Sequence, residues 1–466
     1  MDTAKEHTSN ACKSGGRRRV TIEPAMLVVM ICIGLTTPIT VQYVNLRVKH
    51  KYNMTSETSK TDCLNYSIYD TNDTSITEQI EHEVTLWSLA LSAAGAFPML
   101  ISTTIFATMS DSIGRKIPLL VSCIGMIADC LSFIFIAYFS LPLIYLVLSR
   151  LLWNCCGGYQ LFFSVCAAYI GDIAVKRKRT MKFILLQTLV YLGSGMAQVG
   201  TGYWVQATGF IPPYCLAAVL FIVVFPYIVI LIPETVTNQL SCSSVFRRFF
   251  SSLKMLFVSN ESNRRVKLLL LLLSHFLAFS TITYYTPLII LKVLAKPFCW
   301  SSVLIGYFTA AQPILSSIGL LLGGYLLSRC LGDNGMIQVG LLSGILMMIF
   351  TGLSTTTVTL FVVAAVGTLR SISIAVLMSS LSKTVGDEEQ GTLFAFVGAL
   401  EGLGLFLAPL TFGSIYKMTS QTYGPTVFFT MAGVLSVALV FVWILKIMDL
   451  NLQNLYSRIA NDEPHT

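Results

Sequence analysis

The chain has 466 residues, of which 54% are hydrophobic and only 12% charged. A soluble domain carries about 25% charged residues, so this composition cannot cover a globular surface and excludes a large soluble protein. The net charge of +8 does not indicate a nucleic-acid partner, because the basic residues sit between long apolar runs and not on one contiguous face.

Residues 1–23 are mostly polar, contain Arg17-Arg18-Arg19, and read as a cytosolic tail with no cleavable signal. Apolar runs follow near 24–46, 84–108, 117–138, 142–171, 182–205 and 212–232. A second set lies near 267–290, 302–327, 336–352, 357–382, 392–415 and 425–445. Each is long enough to cross a hydrocarbon core of about 30 Å. The pattern predicts an all-α membrane protein of twelve spans in two six-helix bundles, 24–232 and 267–446. A cytosolic linker at 233–266 joins them, and a cytosolic tail at 447–466 ends the chain. Most of the 31 Lys and Arg then fall on the side of the termini, as the positive-inside rule requires of cytosolic ends.

The long segment 47–83 is then a lumenal loop. It holds three glycosylation sequons, at Asn53, Asn65 and Asn72. Of the 12 cysteines, only Cys63 and Cys299 fall in lumenal loops. They are either two free thiols or a disulfide between the halves in an oxidising lumen.

The clearest motif is Ser110-Asp111-Ser112-Ile113-Gly114-Arg115-Lys116, in the short loop between spans two and three. Gly114 permits the tight reversal. Asp111 suits a helix N-terminus or a neighbouring cation, and Arg115 and Lys116 can latch the loop to the other bundle. The loop resembles the signature of the major facilitator superfamily, which implies two bundles around a central cavity with alternating access. Ser328-Arg329-Cys330-Leu331-Gly332-Asp333 is a fainter echo in the second half, and Arg150 and Pro233-Glu234-Thr235 also match family elements.

Finer resemblance covers nearly the whole chain. Glu23-Pro24-Ala25, Thr37-Pro38-Ile39-Thr40-Val41-Gln42-Tyr43-Val44 and Pro297-Phe298-Cys299-Trp300 look like solute carrier family 46, the proton-coupled folate transporter family. So does Leu381-Ser382-Lys383 with Glu389-Gln390-Gly391-Thr392-Leu393-Phe394. Its lysosomal branch, member 3, looks most similar. That likeness implies proton-linked export of amphipathic organic anions, such as steroid conjugates, bile acids or muramyl peptides. It also implies the Cys63–Cys299 disulfide. The proton is then the coupling ion, with no other cofactor and no metal. This sequence departs from the family in span five, where Gln187 stands at the coupling carboxylate, and in span ten, where Met378 stands at an arginine.

Charges inside spans are costly and usually face a cavity or a partner. Arg150 and Arg370, in the corresponding spans four and ten, suit carboxylate or sulfate by their planar fork. With Gln42, Tyr43 and Gln187 they form the expected substrate set. Glu401 in span eleven is the candidate proton carrier, since a carboxylate out of water can hold a proton at acidic pH. Asp172, at the end of span four, reads as a gating partner of the motif. Asp129 and His275 read as structural. In the tail, Tyr456-Ser457-Arg458-Ile459 matches a tyrosine sorting signal, which an adaptor of the clathrin type reads as an extended peptide. No nucleophile–base pair suggests an enzyme. The expected function is a lysosomal symporter in the lipid bilayer. A plasma-membrane carrier of folate-like anions and a non-transporting receptor or scaffold are the alternatives.

Overall fold

The computed structural model describes residues 22–52, 71–236, 262–294, 298, 300, 302–386 and 389–462. Among these, regular structure is helical throughout. Eleven helices are long and apolar enough to cross a membrane. A twelfth crossing is made of two shorter helices, Ile144–Cys155 and Gly158–Ile173.

In chain order, the first half comprises span one (Glu23–Lys51), span two (Thr71–Ile113), span three (Lys116–Tyr138), the divided span four, span five (Lys176–Thr208) and span six (Ile211–Pro226, widening over Tyr227–Leu231). The second half comprises span seven (Ser262–Leu294), span eight (Ser302–Cys330) and span nine (Asp333–Leu353). Span ten (Thr357–Val366 and Arg370–Thr384), span eleven (Gln390–Ala408 and beyond) and span twelve (Thr426–Asp462) complete it. Each span runs opposite to the one before it. The start of span one, the motif loop, the ends of spans four, six and ten, and the end of span twelve therefore share one face, called here the motif face. Spans two and eleven, and spans five and eight, pack along one another between the halves.

The polar residues inside helices are accommodated locally. Thr36, Thr40, Thr104 and Thr108 each return a hydroxyl hydrogen to the carbonyl four residues earlier, which satisfies the group where no water is present. Large apolar side chains such as Phe135 (57% exposed), Ile230 (75%) and Trp443 (59%) point away from the bundle, as lipid contact demands.

One expectation is corrected, and two polar segments are more helical than the sequence indicated. Span four is not one helix over 142–171: it breaks where Gly157 (φ 90°) and Gly158 (φ 55°) adopt left-handed backbone. Neighbouring side chains satisfy the carbonyls there. Ser102 Oγ donates to Asn154 O at 2.6 Å, Thr103 Oγ1 to Gly157 O at 3.2 Å and Ser122 Oγ to Gly158 O at 2.6 Å. Helix also enters both ends of the segment read as a lumenal loop, 47–83, since span one runs to Lys51 and span two begins at Thr71. Helix thus continues through polar sequence on both sides, and Asn72 falls in its first turn. Last, helix also runs through the sorting tetrapeptide of the tail, as far as Asp462.

Candidate functional site

The motif loop is built around its turn. Gly114 has φ 108°, and a Cβ there would meet the Glu234 carboxylate. That carboxylate accepts the backbone N–H of Arg115 at 2.8 Å and of Lys116 at 3.2 Å, and so covers the N-terminus of span three with negative charge. Glu234 was visible in the sequence only as part of a family-like tripeptide.

Arg115 is almost fully buried. Its guanidinium meets Asp111 at 2.7 Å and Asp172 at 2.9 Å, and donates to Ser110 Oγ at 2.6 Å. Both acids belong to its own half, as does Val229, whose carbonyl takes Lys116 Nζ at 3.0 Å. Arg115 and Lys116 thus make their ion pairs and hydrogen bonds within their own half, although Arg115 Nη1 lies against Gly391 of the other. The crossing residue is Asp111. Its carboxylate accepts the backbone N–H of Gly391 at 2.9 Å and of Thr392 at 2.6 Å, and the Thr392 hydroxyl at 3.0 Å. These are the free N–H groups at the start of span eleven, where a helix favours an anion. A Cβ on Gly391 would strike Asp111 and Arg115, so the close approach requires glycine.

More contacts close the same face. Arg179 Nη1 donates to Ser382 O at 2.8 Å. Thr180, in span five, donates to Asp333 Oδ1 at 3.0 Å and accepts from Lys383 Nζ at 2.6 Å, while Lys383 meets Asp333 at 2.5 Å. On this face the halves are thus latched through Asp111, Arg179 and Thr180. On the opposite face, Tyr203 and Tyr307 join the halves through their hydroxyls at 2.8 Å.

Deeper in the first half, Arg150 meets Asp129 at 3.4 Å and donates to Thr40 Oγ1 at 2.8 Å, with its guanidinium 4.9 Å from the Trp153 ring centroid. Asp129 also accepts from Ser149 Oγ at 2.9 Å. Tyr43 is buried against Phe133 and Phe210, whereas Gln42 is exposed. Gln187 is buried, and its Oε1 has no hydrogen-bond partner.

In the second half Glu401 is 1% exposed. It meets neither Arg370 nor a helix backbone. Its Oε1 lies 2.7 Å from His275 Nε2, and its Oε2 accepts from Gln160 Nε2 of the first half. His275, read from the sequence as structural, is fully buried and shares this site. The sequence carried no sign that spans seven and eleven bring the two together. Arg370 is 5% exposed and has no acidic partner among the described residues; Nη1 reaches Met347 Sδ at 3.2 Å and Gly367 O at 3.4 Å. Cys63, Cys299, Asn53 and Asn65 lie outside the described residues, as do the side chains of Asn72, Tyr456 and Ile459.

Two six-helix halves latched on one face, with paired and unpaired charges buried between their spans, define a multi-pass membrane transporter. Solved structures of that class superpose on it: the human organic anion transporter MFSD10 (TETRAN) with a TM-score of 0.69 at 15% identity, covering 92% of this chain and 100% of that one. The E. coli fucose:proton symporter FucP follows at 0.66 and 12%, covering 92% and 99%. The Major Facilitator Superfamily sequence model matches residues 63–295 and 271–456. The lysosomal proton-coupled steroid conjugate and bile acid symporter SLC46A3 of Rattus norvegicus is 31% identical over 95% of this chain and 97% of its own length. Its Homo sapiens counterpart is 30% identical at the same coverage. The proton-coupled folate transporter of Rattus norvegicus is 27% identical over 91% of this chain and 92% of its own length. The chain belongs to the Major Facilitator Superfamily and, within it, to solute carrier family 46.

Proposed function

We propose that the protein is a proton-linked symporter that moves amphipathic organic anions from the lysosome to the cytosol by alternating access, with both termini cytosolic. The observation that carries the coupling is the buried His275–Glu401–Gln160 cluster. With a neutral imidazole the Glu401–His275 pair bears one negative charge, and one added proton makes it neutral. A hydrogen bond to an ionised acceptor is roughly twice as strong as a neutral one. A proton placed on the Glu401 carboxyl therefore weakens the tie from Gln160, in the first half, to Glu401, in the second. A carrier loaded on the acidic side can then part its halves, open the motif face, and give up the proton where the pH is higher.

The relatives support this reading, since their names describe proton-coupled transport of steroid conjugates, bile acids and folate. Gln187, standing where the family has a carboxylate, cannot carry the proton, so that role falls to another acid. The test uses Tyr456→Ala to hold the protein at the cell surface. Uptake of a labelled steroid sulfate, bile acid, folate and muramyl peptide is measured at external pH about 5.5 and 7.4, with and without an inward proton gradient. Acid-stimulated uptake of a steroid sulfate or bile acid is expected, and Glu401→Gln should flatten its pH dependence. Acid stimulation that survives in Glu401→Gln would refute this proton site. Uptake equal at both pH values would refute coupling itself.

A further inference from the structure

The buried cations differ in how they are neutralised. Arg115 lies against Asp111 and Asp172, and Arg150 against Asp129. Arg370 is as deeply buried, and among the described residues no acid faces it. Its Nε has no hydrogen-bond partner, and Nη1 touches only a thioether and one carbonyl at 3.4 Å. A guanidinium carries five N–H donors and no acceptor. Burying it without a counter-ion is costly, so its retention points to an anion that visits it.

The surroundings fit such a visitor. The guanidinium carbon lies 5.9 Å from the Tyr285 ring centroid. Gln312, 3% exposed, stands on span eight with its amide against the Tyr285 hydroxyl, and no other group meets that amide among the described residues. Ser316, one turn further on and fully buried, has an unpartnered hydroxyl as well. Span ten is interrupted at this point. The 3₁₀ turn Gly367–Leu369 lies between its two α-helical parts, and the Arg370 N–H donates to Gly367 O. Span four, its counterpart in the first half, is interrupted at Gly157. Matched irregularities in corresponding spans of the two halves point to a transporter's binding site.

We propose that the break of span ten is the subsite for the acid group of the substrate: Arg370 takes a carboxylate or sulfate, and the Gln312 amide closes on it from span eight. This deepens the carrier reading and rests on it. It also separates two arginines that look equivalent in the sequence, because Asp129 already neutralises Arg150. One unpaired guanidinium matches one negative charge, so the site favours an amphipathic mono-anion over a dianion. The Tyr285 ring and Met347 offer apolar contact to the rest of the molecule.

The test measures equilibrium binding to the purified full chain in proteoliposomes. The probes are a steroid monosulfate, the matching disulfate and the uncharged parent sterol, beside a bile acid and a muramyl peptide with their uncharged methyl esters. The wild type should bind at least one mono-anion tenfold or more tighter than its uncharged partner. Arg370→Gln should abolish that preference, Arg370→Lys should keep part of it as a point charge without the fork, and Gln312→Ala should weaken it several-fold. Wild-type protein that discriminates none of the pairs, or Arg370→Gln that keeps the full preference, overturns the proposal. If Arg370→Gln does not fold, wild-type discrimination in both Arg370→Lys and Gln312→Ala overturns it equally. Uptake into the same vesicles reads the carrier function separately. Binding with charge preference but no uptake leaves the site and removes the carrier, while uptake with unchanged preference in Arg370→Gln does the reverse.

Discussion

Replacing Asp111 by Asn keeps the shape of the side chain and removes its charge. In the structure the carboxylate accepts three hydrogen bonds from the start of span eleven, two of them from backbone N–H groups. Hydrogen bonds to a charged group contribute about 1.5–3 kcal/mol each. The amide keeps one acceptor oxygen and turns an NH₂ toward an N–H that needs an acceptor. A loss on the order of 3 kcal/mol of latch follows, which shifts the balance between latched and unlatched forms by about 100-fold. The assay is a distance measurement between spin labels at Lys178→Cys and Gly332→Cys. Both positions are exposed and on the motif face, one in each half. The parent should give one short distance, and Asp111→Asn should add or shift to a longer one. An unchanged distance distribution in Asp111→Asn would show that Asp111 does not hold the halves together.

Other consequences can be measured as directly. Gly114→Ala forces a β-carbon onto left-handed backbone and into Glu234. The strain alone costs about 1–2 kcal/mol, so a lower melting temperature is expected by fluorescence-detected unfolding. On the opposite face, the Lys51 ammonium, 2.8 Å away, holds the Glu83 carboxyl below the usual carboxylate range. A lowered carboxyl stabilises the fold above its unfolded value, near 4.3, and the contribution is lost as pH falls through the folded value. Glu83→Gln should therefore lower the melting temperature by the same small amount at pH about 7.4 and 5.5, with the difference vanishing only in stronger acid. If 47–83 and Cys299 face the lumen, glycosidase should shift the mobility of the wild type, and removing Asn53, Asn65 and Asn72 together should abolish that shift. Mass analysis of non-reduced peptides should join Cys63 to Cys299; two free thiols would refute the link.

Hydropathy made the twelve crossings legible, because length and apolarity are local properties of a span. The motif loop was legible too, but its partner was not. That Asp111 rather than Arg115 crosses between the halves depends on where the N-terminus of span eleven lies, which no local pattern encodes. The interruption of span four was signalled by the pair Gly157-Gly158 and read as ordinary apolar helix. Glu401 was conspicuous as a carboxylate in an apolar run. Its partners His275 and Gln160 come from spans seven and four, and a histidine near one end of a span looks the same whether or not it meets an acid. Arg150 and Arg370 were indistinguishable in sequence. Only packing separates them, since Asp129 comes from a neighbouring span. The helical tail beyond 447 shows the opposite failure, because a break in hydropathy marks where the membrane ends and not where the helix does.

Span two is a continuous helix of 43 residues, about 65 Å from end to end, with Pro98 as its one proline. Asp111 sits at one tip and Thr71 at the other, beyond the far side of the bilayer. Such a rod works as a lever. A tilt of about 10° around its middle moves each tip by roughly 6 Å over that length, so parting Asp111 from span eleven swings the Thr71 end as well. A protein that grips that end from outside therefore bears on a catch it never touches. An antibody fragment raised to the Thr71 end should slow or speed the change in label distance on the motif face, and one that binds there without altering it would show that Pro98 bends freely and uncouples the two tips.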